Sequence, residues 1–301
     1  MDIIGKADAL GIRIAVIPAS CLSDIKADIK EFALNNKLNS FQKTIVEKRY
    51  ILDVPQADFE VRSIVIAIWS CRLINATYHY KGKTVHDIND DSVAKTEKHD
   101  ILRGIFKDAG YQLLQTNWLP LKRLAVRAGL TEYGRNNITY AKDWGSFIGI
   151  GGYVSDMPSK DCIWRDIKNM DICDTCGMCI GNCPTCAIDR EHFLIDNEKC
   201  LTNINAYGTQ DFPEWIPKTA HHRIFECMKC QDICPADKER FLNITEAVEF
   251  FDEETEIMLT NHDLQSYPSP LKAKLWFIDN GRAMECIGRN LKAMFDNPEI
   301  K

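Results

Sequence analysis

The sequence lacks several features that would place it in a familiar class of proteins. The N-terminal stretch has neither the positively charged start, the apolar run nor the small-residue cleavage site of a secretory signal. No uninterrupted apolar run approaches the roughly 20 residues that a membrane-spanning helix requires. These absences predict a cytoplasmic protein that has no membrane partner and whose thiols are reduced or bound to metal.

The sequence also lacks an excess of positive charge, since it has 37 basic and 43 acidic residues and a formal net charge of -6. Broad electrostatic capture of nucleic acid needs the opposite balance, so the composition argues against a nucleic-acid partner. The glycine-rich fingerprints for dinucleotides and for nucleoside triphosphates are missing too. The 301 residues are nevertheless enough for one large domain or for a domain that carries an inserted module.

Hydrophobic periodicity predicts a mixed fold whose first third is α/β. We expect helices at residues 3–10, 23–34, 93–109 and 121–128, and strands at 12–17, 63–69, 111–114 and 146–154. The run at 63–69 is apolar and β-branched, as is typical of a central strand. Past residue 241 the pattern predicts two or three amphipathic helices, including 271–278 and 284–295. The predicted domains are 1–165, 166–240 and 241–301.

Thirteen cysteines are present, and eight of them fall into groups with the spacing of metal ligands. The first group is Cys173-x2-Cys176-x2-Cys179-x3-Cys183-Pro184, which matches the bacterial ferredoxin run. The second group is Cys227-x2-Cys230-x3-Cys234-Pro235, with Cys200 upstream as its missing member. This pattern predicts a ferredoxin-type module with two [4Fe–4S] clusters.

The ligands of each cluster follow from the rule that the cysteine before proline reaches across to the other cluster. Cluster one is predicted to take Cys173, Cys176, Cys179 and Cys234. Cluster two is predicted to take Cys183, Cys200, Cys227 and Cys230. The alternative is a pair of structural zinc sites, because cysteine pairs two residues apart also build four-thiolate zinc sites. Zinc, however, needs neither the three-member run nor the paired Cys-Pro endings.

The other five cysteines are scattered, and each is expected to be a small buried hydrophobic residue. They are Cys21, Cys71, Cys162, Cys186 and Cys286. Cys186 follows Cys183 closely but is interpreted as a bystander. Two clusters in one module would conduct electrons, and a bare ferredoxin needs only part of this chain. The remaining residues are therefore expected to hold a cofactor or a substrate site.

Four segments upstream of the cysteines, in this order, resemble a known superfamily. They are residues 120–130, 133–137, 144–147 and 155–156. Together with the double-cluster module they are similar to the epoxyqueuosine reductases and reductive dehalogenases, and the similarity extends from about residue 60 to the end of the chain. The resemblance implies an α+β fold with a nitroreductase-like α/β domain. It also implies a base-off cobalamin on that domain, which receives electrons from the two clusters.

The resemblance also implies roles for residues 122–146. Tyr133, Arg135 and Tyr140 are candidates for donating a proton or stabilising negative charge during reduction. The candidates for contacting the corrinoid are Lys122, Arg123, Arg127, Asn136, Asn137, Gly145 and Ser146. The alternatives are that the two tyrosines are core aromatic residues and that the basic residues form a solvated face.

Three departures separate the chain from the namesakes. Residues 115–118 provide no carboxylate where epoxyqueuosine reductases place an aspartate acid, and the chain ends before their C-terminal helical repeats. The long twin-arginine leader of the dehalogenases is missing. We therefore expect a short, anaerobe-type cytoplasmic relative with its own small-molecule substrate and a low-potential electron donor such as ferredoxin or flavodoxin.

The predicted function is a cobalamin-dependent iron–sulfur reductase that passes low-potential electrons to a corrinoid and a small organic substrate. One alternative is an electron-transfer protein that activates the corrinoid of a partner without holding its own. Another is an iron–sulfur flavoprotein, because the nitroreductase-like fold is also a flavin scaffold.

Overall fold

A computed structural model describes residues 2–90, 92–159, 164–207, 210–261, 263–279 and 284–300, so the predicted bystander Cys162 lies outside the described residues. Contacts divide the chain into two units. Unit 1 comprises residues 1–70 and 95–175, and unit 2 comprises 71–94 and 176–301. Residues 71–94 thus pack with the C-terminal part of the chain, and the domain boundaries near 165 and 240 stay predictions.

The described chain forms helices and strands in mixed order. The α-helices are α1 Ile3–Ala9, α2 Leu22–Asn35, α3 Ser40–Thr44, α4 Ser92–Asp108, α5 Leu121–Arg127, α6 Met178–Gly181, α7 Leu201–Ala206, α8 Lys229–Asp232, α9 Asp252–Thr260, α10 Ser269–Asp279 and α11 Ile287–Phe295. The strands are β1 Ile12–Pro18, β2 Ser63–Ser70, β3 Leu73–Tyr80, β4 Lys83–Asp90, β5 Leu113–Gln115, β6 Glu132–Tyr133, β7 Thr139–Tyr140, β8 Ile148–Ser155 and β9 Ile244–Phe250. The α+β fold class is as predicted. No helix in the described part of the chain is long and apolar enough to span a membrane.

Unit 1 is built on an antiparallel sheet with strand order β1-β2-β8-β5. Strand β2 lies inside this sheet, and all its residues but the last are buried. Helix α2 places Leu22, Ile25 and Ile29 on one face, and these pack in a cluster with Ile64 of β2 and Leu124 of α5. The helical spacing of those three residues and the apolar run of β2 both predict that these side chains are buried. The predicted elements of this unit are confirmed to within a few residues.

The glycine-rich strand β8 owes its composition to the side chains that cover it. A side chain at Gly149 would collide with the indole of Trp69, and one at Gly152 would collide with Leu121. Glycine therefore allows large side chains to lie directly against the backbone of β8. The prediction of a glycine-rich strand at 146–154 is confirmed, and close packing is its physical reason.

Unit 2 contains a second sheet that the sequence reasoning missed. Strands β3 and β4 form a hairpin, and β9 pairs in parallel with β3. The hairpin turns at Lys81 and Gly82, whose φ angles of 49° and 79° are those of a tight two-residue turn. Residues of α9, α10 and α11 cover the sheet, and the rings of Tyr78 and Phe250 stack with centroids 4.5 Å apart. Residues 244–250 had been expected to lie among helices, because their strand partner is far away in the chain.

Candidate iron–sulfur and cofactor site

The first cysteine segment turns at Gly177. Cys173 lies buried in a short 3-10 turn, and Cys176 is followed by Gly177 at φ +87° and then by α6, which carries Cys179. A side chain at Gly177 would collide with the guanidinium of Arg190, which donates to the Cys176 carbonyl at 3.1 Å. The left-handed conformation therefore favours glycine here, and its missing side chain leaves room for the guanidinium of Arg190.

The second cysteine segment repeats this geometry without a glycine. Cys227 is followed by Met228 at φ +56° and then by α8, which carries Cys230. Helices α6 and α8 contact each other. Asn182 Nδ2 joins the segments by donating to Lys229 O at 2.6 Å and to an Asp232 carboxylate oxygen at 3.1 Å. The repeated sequence motif thus produces a repeated local structure.

Three of the four predicted ligands of cluster two come together in unit 2. The thiols of Cys183, Cys200 and Cys227 lie close enough for their charges to interact with one another. Burial raises the pKa of Cys200 and raises that of Cys227 to about 12, so both free thiols are protonated at neutral pH. Iron binds the thiolate, so cluster assembly at this site would release protons.

Backbone amides point at these sulfur atoms. The N–H groups of Thr202 and Asn203 donate to Cys200, and the N–H of Lys229 donates to Cys227. Ala187 N donates to Cys183 Sγ at 3.2 Å. Such donors stabilise negative charge on cluster sulfur and tune its reduction potential.

Among the described residues, no three His, Cys, Asp or Glu side chains converge closely enough to hold a single metal ion. A four-iron cluster does not require this convergence, because each thiolate binds a different iron atom. The cysteine ligand sets of both clusters stay predictions.

The scattered cysteines differ in environment. Cys71 and Cys286 are buried, as expected. Cys186, in contrast, is exposed at φ +51° in the turn after Cys183, so the expectation of burial is wrong there. Cys21 is buried but disulfide-bonded, which corrects the expectation of a reduced thiol. Spacing alone could not reveal the exposure of Cys186, since that exposure depends on the local turn.

The candidate catalytic residues surround the hairpin of β6 and β7. Tyr133 and Tyr140 are both buried, whereas Arg135 is partly exposed. Asn136, also buried, donates to Tyr140 Oη at 2.8 Å and accepts from Ile138 N at 3.3 Å. Burial raises the pKa of Tyr133 far above its ordinary value, so this side chain is a neutral phenol. Asn136 thus serves the hairpin itself, and a contact between Asn136 and a cofactor remains a prediction.

Two of the three residues of the predicted basic face, Arg123 and Arg127, form ion pairs. Arg123 Nε lies 2.6 Å and an Arg127 guanidinium nitrogen 3.2 Å from the carboxylate of Asp28 on α2. Burial alone would raise the pKa of Asp28, but the hydrogen bonds and charges of the two arginines hold it below its ordinary value. Exposed Lys122 instead donates to the carbonyl of Asn137 at 3.2 Å. These contacts give Arg123 and Arg127 a structural role that the sequence could not indicate.

The segments 144–147 and 155–156 of the resemblance form a turn and hydrogen bonds that stabilise the local fold. Gly145 adopts φ +63° in the turn before buried Ser146. Ser155 Oγ donates to Gln112 O at 2.6 Å, and Asp156 accepts from Gln112 N at 2.8 Å, which fixes the start of β5. Just after β5, Trp118 is 46% exposed and has a φ angle of +68°. Residues 115–118 therefore form an irregular, partly exposed stretch without a carboxylate.

A polar cluster in unit 1 was missed by the sequence reasoning. His99 Nδ1 hydrogen-bonds the hydroxyl of buried Tyr153, and the His99 ring contacts Trp69 edge-on at 5.1 Å. Burial lowers the pKa of His99, helped by Arg103 and opposed by Asp100. The hint available in the sequence was the glycine-rich β8, which leaves room for these rings.

Two buried oxygen atoms beside β6 have no hydrogen-bond partner among the described residues. They are Thr131 Oγ1 and Asn169 Oδ1, and Asn169 pairs with Tyr133 through a backbone bridge. An unsatisfied buried oxygen costs free energy unless a ligand or water completes it. This part of unit 1 can therefore accept the polar edge of a cofactor.

Comparisons with known proteins agree with these features. Residues 172–237 match the family model of a 4Fe-4S double cluster binding domain. An epoxyqueuosine reductase of Cyclobacterium marinum is 29% identical over 166 residues, which cover 53% of this chain and 50% of the relative. One of Bacillus anthracis is 25% identical over 254 residues, covering 79% and 64%. The match thus spans about half the length of the first of these curated relatives.

A solved structure of similar fold is an epoxyqueuosine reductase in complex with an epoxyqueuosine-modified stem loop of tRNA-Tyr. The TM-score is 0.69 at 17% sequence identity, covering 99% of this chain and 82% of that one. At this identity the likeness shows the fold alone. The resemblance to the epoxyqueuosine reductase and reductive dehalogenase superfamily is supported by the curated relatives, the cluster domain and this shared fold.

These findings overturn one prediction. We expected a small-molecule substrate and argued against a nucleic-acid partner, yet the curated relatives are epoxyqueuosine reductases and one solved relative holds a tRNA stem loop. The error came from using net charge, which sums the whole surface and does not report a local binding face. An acidic chain can still carry such a face.

Proposed function

We propose that this chain is an iron–sulfur oxidoreductase of the epoxyqueuosine reductase type. It would pass low-potential electrons through two [4Fe–4S] clusters to a cobalamin and so reduce an epoxide-bearing nucleoside in RNA. The observation that carries the proposal is the meeting of three thiols, Cys183 and Cys227 from the two cysteine segments and Cys200 from between them. Backbone amides donate hydrogen bonds to these sulfur atoms. The curated relatives supply the reaction class.

The cluster part of the proposal uses this chain's own donors. The thiolates would bind iron, and the amides of Ala187, Thr202 and Lys229 would stabilise the added electron. Because two clusters can relay single electrons, the chain needs an external low-potential donor such as ferredoxin or flavodoxin.

Unit 1 would hold the cobalamin. The predicted contacts apart from the two arginines remain Lys122, Asn136, Asn137, Gly145 and Ser146. The unsatisfied oxygens of Thr131 and Asn169 support a polar ligand beside β6. When bound, the cobalamin would supply low-potential reducing power at a single metal atom. Because Arg123 and Arg127 already bind Asp28, we expect them to hold α5 against α2 whether or not a cofactor is present.

The proton would come from a phenol. Residues 115–118 offer no carboxylate, so Tyr133, whose phenol is neutral at the operating pH, is the predicted donor. Because burial raises the pKa of Tyr133, it would protonate only a strongly basic centre such as a developing alkoxide. A positioned neutral phenol can act as a general acid. Arg135, two residues further on, would stabilise the negative charge that develops when the carbon–oxygen bond breaks. The cytoplasmic location stays a prediction.

The test is anaerobic turnover of an RNA stem loop that carries epoxyqueuosine. Chain reconstituted with iron, sulfide and hydroxocobalamin, and supplied with electrons from reduced flavodoxin or ferredoxin, should convert the nucleoside to its reduced form, as measured by mass spectrometry. Omission of either the corrinoid or the electron donor should abolish conversion. Tyr133→Phe should lower kcat by about 10²-fold or more while leaving cobalt and iron content unchanged.

Three outcomes would contradict parts of the proposal. No conversion by chain that has retained cobalt would exclude this substrate. Iron without retained cobalt would favour the electron-transfer alternative. Yellow flavin absorption would favour a flavoprotein.

A further inference from the structure

Cluster two has an unusual source for one of its ligands. The first run carries four cysteines within residues 173–183, whereas residues 201–226 separate Cys200 from Cys227. Closing a long loop costs conformational entropy that a short motif avoids. Some contact must therefore hold the two ends of this segment in place. Part of it is local, since Thr202 Oγ1 accepts from Cys227 N at 3.0 Å.

A second tie comes from α11, near the C-terminal end of the chain. Asn290 is 2% exposed, and its Nδ2 donates to Asn205 O at 2.9 Å and to Ile224 O at 2.6 Å. Asn205 lies on α7, which begins directly after Cys200, and Ile224 comes three residues before Cys227. A side-chain amide has two N–H donors. Here one bonds the segment that follows Cys200, and the other bonds the segment that precedes Cys227.

The neighbours of Asn290 extend this contact. Arg289 donates to Ile204 O at 2.8 Å and to Gln210 O at 3.2 Å, and its guanidinium lies 4.3 Å from the ring centre of Phe212. Asn297 Nδ2 donates to His221 O at 2.9 Å. Every one of these bonds runs from α11, or from just beyond it, to a backbone carbonyl within residues 204–224.

Helix α11 is itself firmly anchored. Leu291 and Met294 are fully buried and belong to the same apolar cluster as Ile224. The helix therefore presents Asn290 from a rigid base, and the amide can transmit that rigidity to the loop.

We propose that Asn290 is a positioning residue for cluster two, which sets the separation between the Cys200 and Cys227 thiolates by holding the carbonyls of Asn205 and Ile224. The proposal rests on the two-cluster function proposed above. Arg289 and Asn297 support the same loop through the carbonyls of Ile204, Gln210 and His221. Removing the amide leaves two buried carbonyls unsatisfied, and the loop relaxes at the point where the ligand geometry is fixed.

The experiment compares Asn290→Leu, which keeps the number and branching of the side-chain heavy atoms and removes both donors, with Leu291→Ala as the matched control. Leu291→Ala creates a core cavity in the same helix but touches none of the carbonyls. Both variants and the wild type are reconstituted anaerobically, and iron content, EPR spectra and cluster potentials are measured. Cys200→Ser provides the reference spectrum of cluster one alone.

The expected result is a selective effect on cluster two. The iron content of Asn290→Leu should fall from about eight atoms per chain toward about four, with the cluster-one signal intact. If both clusters assemble, the variant should release iron from cluster two to a chelator about tenfold faster than the wild type. Leu291→Ala should lower the melting temperature at least as much and keep both signals. Asn290→Ser retains one donor and should lie between wild type and Asn290→Leu, which keeps the test valid if the leucine variant misfolds.

Two results would overturn the proposal. One is an Asn290→Leu or Asn290→Ser protein whose cluster-two potential, occupancy and iron release equal those of the wild type. The other is parallel loss of both clusters in Asn290→Leu and Leu291→Ala, which would show a merely structural role. A wild-type chain that takes up no second cluster would instead contradict the two-cluster function itself.

Discussion

The cysteine segments at residues 173–183 and 227–234 each contain a left-handed residue, then a one-turn helix, then a cysteine followed by proline. The first segment uses Gly177 at the left-handed position and the second uses Met228. The first has all of its cysteines close together in the sequence, whereas the second depends on Cys200, which is supported by Thr202 and α11. A short motif can therefore specify a turn, but the remote ligand needs tertiary contacts.

The largest expected effect separates a ligand from a bystander. Cys200→Ser should remove cluster two and halve the iron from about eight to about four atoms per chain. Cys186→Ser is the matched control, because Cys186 is exposed in the turn after Cys183, and it should retain all the iron. Anaerobic iron determination with EPR measures both. Equal iron in the two variants would contradict the assignment of Cys200.

The left-handed position provides the next contrast. Gly177→Ala should destabilise the protein by about 1–2 kcal/mol from backbone strain, because the terminal guanidinium of Arg190 can move away from the added methyl group. Met228→Gly should relieve the corresponding strain, although the unfolded chain gains entropy, so its net effect should stay within about 1 kcal/mol. Chemical unfolding of both reconstituted variants tests this. Similar losses in both would mean that the segments are not equivalent at this position.

The bridge between the segments should have a smaller effect. Asn182→Ala removes the amide that donates to Lys229 O and to Asp232, and we expect a loss of about 1 kcal/mol. Asn182→Asp keeps the shape and replaces the donor with an acceptor, so it should be at least as destabilising. Thermal unfolding under anaerobic conditions provides the measurement, and a neutral Asn182→Asp would argue that the bridge does not form in solution.

The smallest expected effect is a pH dependence that arises outside both segments. Burial lowers the pKa of His99 below its ordinary value of 6.5, so below that pH the unfolded chain binds a proton that the folded chain resists. Stability should therefore fall as the pH drops through this window, and His99→Gln should flatten the dependence. Unfolding measured from about pH 7 to about pH 5 reports the slope. An unchanged slope would mean that His99 titrates normally in the folded protein.

Local sequence signals predicted much of unit 1 and the cysteine segments. The apolar run of β2 and the helical spacing of Leu22, Ile25 and Ile29 predict the burial of these residues directly. The hairpin of β3 and β4 was missed although Lys81-Gly82 between two alternating runs is a usable signal. Strand β9 gave no comparable signal, because its parallel partner is more than 150 residues away in the chain.

The candidate site shows the same limit. Seven of the eight predicted ligands were found because their spacing is local, and Cys200 was added as the missing member of the second group. Arg123 was assigned to a cofactor face because its partner Asp28 cannot be inferred from spacing, and the bonds of Asn290 to Asn205 and Ile224 were equally hidden. Contacts between residues distant in sequence depend on the completed fold, and a single sequence does not report them.

The most direct test of the account is anaerobic reconstitution with iron, sulfide and hydroxocobalamin, followed by gel filtration, metal analysis and EPR of the protein fraction. We expect about eight irons per chain, near-stoichiometric cobalt and the EPR signal of base-off Co(II). Four or fewer irons would contradict the two-cluster assignment. Eight irons without cobalt would contradict a tightly bound corrinoid.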